Sequence, residues 1–271
     1  MKLDYFDLLS PEPISLSIGR IKQPTLRDIS KLTFQKFSVY QVYLKLTPKD
    51  YYTLIDIEKG KIFWDSLDEE QKKDISLYDI IILEPSVSQI YLDILNYFFV
   101  ERVVFIDNLF LIVDTDDYET EITELELNKD NLKGVINAES FMDVLDIIQQ
   151  VCCIKSDNPL DEAKPKFKNK KAKRLYEKML KAKEKETKRK SQRDALNLSL
   201  ANIISATAAK TPGLNIINIW DTTLFQLYDQ FGKIQNNDIH YMNVVRVAVW
   251  GDEKNRFDAS LWYKNNYDKP I

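Results

Sequence analysis

Six glycines in 271 residues are too few for a Gly-rich phosphate loop or for an all-β fold turning tightly at short intervals, and they point to a mostly helical chain. The two cysteines, Cys152 and Cys153, are sequence neighbours, a spacing that rarely meets disulfide geometry, so reduced thiols in a cytosol-like compartment are expected. With a single histidine, His240, the chain has no His/Cys spacing for a metal site. His240 follows Asn236-Asn237-Asp238 with no nucleophile close by, and it reads as a surface or capping residue. A G-x-S-x-G elbow, a CxxC pair, a P-loop and a dinucleotide fingerprint are all missing. Neither enzyme activity nor a cofactor is expected.

Long apolar runs are missing too. The best candidate, residues 89–105, is interrupted by Asp93, Asn96, Glu101 and Arg102, so it is expected to be core and not a membrane span. The opening MKLDYFDLLSPEP carries acids and no apolar centre, unlike a secretory signal.

Charged residues make up 30% of the chain, above the roughly 25% of an ordinary soluble domain, and hydrophobic residues make up 44%. Start signals for helices recur. Thr25 with Asp28 opens one that is expected to run, with a bend, to Leu46, and Thr47-Pro48 opens another ending near Gly60. Ser66 with Glu69 marks a short helix to Ile75, Ser86 caps a helix to Val100, and Asn137 caps an amphipathic helix with Phe141, Val144, Leu145, Ile148 and Val151 on one side. Between the last two, RVVFIDNLFLIVD is a hairpin signal turning at Asp107-Asn108. The acidic residues 114–126 read as an edge strand whose charge discourages pairing, and Asp116 and Asp117 read as its solvated acids, not as a cation site.

Charge is unevenly distributed. From Lys164 to Arg193 there are fifteen Lys or Arg against three acids, a local +12, so the remainder carries −16 in a chain whose net is −4. This run reads as a solvated helical linker that docks on an acidic surface; contact with nucleic acid through Lys170, Lys171, Lys173 and Arg174 is the sharper alternative. The expected architecture is therefore α+β and predominantly helical: an acidic α+β domain over residues 1–157 with a small hairpin sheet, a basic helix over 158–197, and a helical region over 198–271.

Residues 202–231, NIISATAAKTPGLNIINIWDTTLFQLYDQF, read as two short helices broken at Thr211-Pro212-Gly213, with Asn215 capping the second. Ile217, Trp220, Leu224, Leu227 and Phe231 fall on one face of that second helix, widened by Phe225 and Tyr228. A large apolar face normally finds its own protein first. Further on, Val245, Val247 and Val249 alternate as a strand would, although a helix could also continue through them.

The opening DYFDLLSPEPISLSIGRIKQPTLRDISKL, the stretch IISATAAKTPGLNIINIWDTTLFQLYDQF and the closing FDASLWYKN together resemble a group of tail-module proteins from phages and prophages of Gram-positive bacteria, commonly described as tail assembly chaperones. The resemblance covers the two ends of the chain. It implies a host-cytoplasmic, non-enzymatic protein that binds the tape measure protein or the tail tube protein. A groove lined by Trp220, Leu224, Phe225 and Tyr228 would then hold an amphipathic helix, and the basic run would steer an acidic client or a second copy. A structural role in the virion and nucleic-acid binding through the basic helix are the alternatives.

Overall fold

The computed structural model describes residues 1–55, 60–114, 131–154, 198–252, 256–265 and 267. The fold is predominantly helical α+β, with one two-stranded and one three-stranded sheet among the described residues. The expected edge strand at 114–126 and the basic run, with Lys170, Lys171, Lys173 and Arg174, lie outside the described residues apart from Asp114. The chain divides into two compact units: Met1–Lys155 together with Asp221–Gln226, and Ser156–Trp220 together with Leu227–Ile271.

In the first unit the N-terminal segment docks through side-chain clamps. Helix α1 (Tyr5–Leu9) starts where the Asp4 carboxylate accepts from the Phe6 N–H at 2.7 Å. The buried Gln23 side chain donates to the carbonyls of Asp7 and Ser10, both at 2.7 Å, and so fixes the turn after α1. At the other end Gln150 accepts from the Leu3 N–H at 2.8 Å and donates to the Met1 carbonyl at 2.7 Å. Strands β1 (Ile14–Leu16) and β2 (Gly19–Ile21) form a hairpin, and β2 also pairs with the segment before the main sheet. There the Val100 N–H donates to the Arg20 carbonyl at 2.9 Å and the Lys22 N–H donates to the Phe98 carbonyl at 2.7 Å.

The Thr25–Asp28 capping box forms as the sequence indicates, opening α2 (Leu26–Leu32). The expected bend is a complete break. Thr33 sits at φ 79° between α2 and α3 (Phe34–Leu44), closing one helix and capping the next. The expected single helix from Thr47 to Gly60 is divided as well: Pro48–Asp50 (α4) passes into a π-turn, Tyr51–Ile55, and Gly60 opens α5 (Gly60–Ser66) instead of ending a helix. Helix α6 (Glu69–Asp74) is capped by Asp68, whose carboxylate accepts from Glu70 and Gln71, not by Ser66. Likewise α8 (Pro85–Phe98), preceded by α7 (Leu77–Leu83), begins at Pro85 and not at a Ser86 cap, because proline at the first position supplies the helical φ and has no N–H to satisfy.

The hairpin turn at Asp107-Asn108 is observed between β3 (Arg102–Ile106) and β4 (Leu109–Val113). Both residues have positive φ, 49° and 62°, as a two-residue primed turn requires. Strand β5 (Leu132–Ile136) completes an antiparallel sheet in the order β3-β4-β5, and Asn137 caps α9 (Ala138–Val151). The core between sheet and helices is aromatic. Phe141 lies against Tyr78, Tyr91 and Phe110, with ring centroids 5.3, 5.4 and 6.1 Å away. The Tyr78 hydroxyl donates to the carbonyls of Asn108 and Ile136, so the polar end of a core ring pins the hairpin turn and the end of β5.

Six residues from far along the chain complete this unit. Thr223 bridges to Thr25; the Leu26 N–H donates to the Thr222 carbonyl at 3.0 Å, and the Leu224 N–H donates to the Pro24 carbonyl at 3.1 Å. Arg27 pairs with Asp221 at 2.7 Å, Gln226 donates to the Leu9 carbonyl at 2.8 Å, and the Phe225 ring meets Tyr5 edge-on at 6.1 Å. This strap is held by backbone as well as side chains, so its seat is specified in register.

In the second unit, α10 (Leu200–Lys210) buries Ile203, Ile204 and Thr207 and is capped by Ser199. The longest helix among the described residues, α11, runs from Leu224 to Trp250, about 40 Å at 1.5 Å per residue, and belongs to this unit from Leu227 onward. It passes straight through Val245, Val247 and Val249, so their alternation is not that of a strand. With no partner strand among the described residues to supply a ladder, the backbone bonds of that segment are made within the helix.

Candidate functional site

Three places carry the features that a functional surface needs, and they differ in what they offer. The first is the start of α11. Asn215 does not cap a helix: it closes one turn, accepting from the Ile217 and Asn218 N–H groups, while its own N–H donates to the Asn218 side chain at 2.7 Å. Ile217, expected on the buried face, is instead 79% exposed. The helix begins only after Thr223, which forms a reciprocal box with Gln226: the Thr223 N–H donates to Gln226 Oε1 at 2.9 Å and the Gln226 N–H donates to Thr223 Oγ1 at 3.2 Å. Of the four groove residues, Leu224 and Phe225 are 1% and 5% exposed, held in the strap. Trp220 and Tyr228 are half-buried, and the Trp220 indole donates to the Ile216 carbonyl at 2.8 Å. Only these last two have surface to offer a partner.

The second is a polar cleft of about 300 Å³ in the first unit, lined by residues of β1 and β2 together with Glu101, Asp114 and Lys133. Glu101 is buried and accepts from the Arg20 guanidinium at 2.8 Å and the Arg20 N–H at 2.9 Å; Lys133 and Asp114 pair at 3.0 Å across the mouth. Burial pushes the Glu101 carboxyl up, but the two hydrogen bonds from Arg20 and its positive charge outweigh that and hold the group below the ordinary carboxylate range. Each cation in the cleft already has an anion beside it, so its charges are matched internally. The sequence signal for this pair is an acid, Glu101, inside an otherwise apolar run, and nothing local distinguishes it from a plain interruption of that run.

The third is the second half of α11, in the second unit. His240, Asn243 and Val247, at steps of three and four, are half-buried, and Phe257 lies against His240 with ring centroids 5.5 Å apart. Lys233 donates to the Lys264 carbonyl at 2.7 Å, and Asp252 accepts from the N–H groups of Arg256 and Phe257, both at 2.9 Å. The closing segment is thereby folded back along one side of the helix. The opposite side is apolar and open. Tyr241, Val245 and Val249 follow at steps of four, flanked by Met242 and Val244, with exposures of 70% at Tyr241, 61% at Met242 and 64% at Val249; Trp250, at the end, is 74% exposed. A helix that turns its polar-leaning side inward and its apolar stripe outward inverts the usual arrangement of a surface helix. The stripe follows from the helical alternative for these valines and not from the strand, because period two and period 3.6 group the same residues differently.

Among the described residues no group of three metal-ligating side chains occurs, and no helix is long and apolar enough to cross a membrane. Residues 187–267, the part of the chain that contains α10 and α11, match the family described as the YomV second domain. No curated protein and no solved structure matches the chain. The family match supports a phage- or prophage-related protein and extends over the segment that carries the open apolar stripe.

Proposed function

We propose that this chain is a non-enzymatic phage assembly protein, a tail assembly chaperone that holds the tape measure protein or the tail tube protein in the host cytoplasm while the tail is built. The observation that carries this reading is the outward apolar stripe of α11 between Tyr241 and Trp250, a surface suited to the apolar face of a partner helix. The match over residues 187–267 supports the phage setting, and the resemblance of both chain ends to tail-module proteins supports the tail. Trp220 and Tyr228 extend the contact at the other end of the helix, and Lys170, Lys171, Lys173 and Arg174 supply positive charge for an acidic client.

Co-expression with tape measure and tube proteins tests the proposal. One of them is expected to co-purify with the tagged full-length chain and to gain solubility, and Tyr241→Ala with Val249→Ala is expected to weaken capture without loss of fold. A client that neither co-purifies nor becomes more soluble refutes the chaperone. Recovery of the chain in purified particles at fixed stoichiometry replaces it with a virion component, and capture of nucleic acid alone replaces it with a role for the basic run.

A further inference from the structure

The open stripe of α11 has a second property beyond being apolar. Summed from their fractional exposures, Ile239, Tyr241, Met242, Val245, Val249 and Trp250 present roughly 700 Å² of surface, close to the about 800 Å² per partner that a standard stable interface buries. A patch of that size left in water is a liability for a single copy. Three pairs of positions about Met242 are also matched in character, although Val249 has Gln235 as its counterpart seven residues to the other side. Asp238 lies four residues before and Arg246 four after; Ile239 and Val245 lie three to either side; Ile234 and Trp250 lie eight to either side. Laying the helix antiparallel on a copy of itself, crossing at Met242, therefore sets apolar against apolar and acid against base at each of those positions, twice over by the two-fold axis. Asp238 already accepts from Lys210, and a carboxylate has room for a further donor.

We infer that the free protein is a homodimer in which the Ile234–Trp250 segments of two copies pack antiparallel, with Met242 at the crossing and Arg246 paired to the partner's Asp238. The inference shares its surface with the proposed function and deepens it: client and second copy compete for one stripe, so the client-free dimer keeps the stripe out of water and client capture proceeds through dissociation. A two-fold contact of this kind closes on itself and ends growth at two copies.

Sedimentation of the full-length chain over a range of concentrations is expected to give twice the monomer mass. Val245→Glu, at an exposed position, is expected to leave the circular dichroism spectrum unchanged and to raise the dimer dissociation constant at least about a hundredfold, since it places an unpaired charge in the interface. Under oxidation Met242→Cys is expected to form a disulfide dimer above the background of the wild-type chain, and Trp250→Cys is not, because its two copies lie roughly 24 Å apart along an antiparallel pair. A monomer at every concentration, a dimer indifferent to Val245→Glu, or cross-linking of both cysteine variants overturns the inference. A monomer that still captures tape measure or tube protein overturns it while leaving the chaperone in place. A dimer that captures neither leaves the homodimer standing and removes the chaperone.

Discussion

Gly134 in β5 offers a quantitative test of how the small β1–β2 hairpin is seated. A methyl group placed on Gly134 would lie 2.5 Å from both the Cβ and the carbonyl oxygen of Ile18 and 2.6 Å from its Cα. These are backbone or backbone-proximal atoms, so no rotamer change relieves the overlap. The backbone at Gly134 does not have positive φ, so alanine meets no torsional penalty there. Gly134→Ala should gain about 0.4–1 kcal/mol from the reduced freedom of the unfolded chain. Overpacking costs about 1–3 kcal/mol, and toward the upper end when the clash is with main chain. The net expectation is a loss of roughly 1–2 kcal/mol, which is about a 5- to 30-fold loss of hydrogen-exchange protection for the β5 amides in the full-length chain. Ile18→Gly in the same background should recover only part of this, because the carbonyl oxygen and Cα remain. Unchanged or increased protection in Gly134→Ala would refute the close seating of Ile18 on β5.

Gly213→Ala provides a contrast: nothing lies within 4 Å of the added methyl, but φ is +90°, so a loss of about 1 kcal/mol in thermal unfolding is expected from torsion alone. Thr33, a β-branched residue at φ 79°, carries strain of about 1–3 kcal/mol, and glycine replaces its cap for a few tenths; Thr33→Gly should therefore raise the thermal midpoint, and a lowered midpoint would contradict the strained junction. Glu101 is held below its ordinary range in the folded state, so its contribution is fully present above the unfolded value of about 4.3 and is lost as the pH falls through the lower folded value. The slope of stability against pH below about 4.3 should flatten in Glu101→Gln, and an unaltered slope there would remove the carboxylate from the account. Leu224→Ala, at a position 1% exposed, should cost about 2–5 kcal/mol in chemical denaturation, whereas Trp250→Ala, 74% exposed, should change stability by less than about 0.5 kcal/mol at concentrations where the chain is monomeric.

Signals in the sequence specify the structure where the interaction is itself local. The Thr25–Asp28 box, the Asp107-Asn108 turn and the Asn137 cap each depend on residues within three positions, and each forms. Boundaries went astray where two adjacent signals competed, as at Ser66 and Asp68 or Ser86 and Pro85, and where a break came from an unfavourable conformation of Thr33 that no propensity announces. For VVRVAVW the sequence leaves strand and helix both open, because β-branched residues favour strands unless a helix already under way carries them along, and the structure takes the helix. The strap was invisible for a different reason. Thr222 through Phe225 fall inside the amphipathic helix that the sequence opens at Asn215, and nothing local says that their backbone pairs with Pro24 and Leu26, some two hundred residues earlier. The cleft pair Arg20–Glu101 is non-local in the same way.

That strap sets an order of events during synthesis. The first unit is split in the gene: its closing residues, Asp221–Gln226, are made only after Ser156–Trp220 have been added. At the usual 5–20 residues per second the ribosome needs about 4–14 s to get from Lys155 to Gln226. Through that interval the Pro24 carbonyl and the Leu26 N–H wait without their partners, and Tyr5 lacks the ring that meets its edge. The nascent N-terminal unit is thus held one piece short until the beginning of the long helix has emerged, so the two halves of the protein are matured in step and not one after the other.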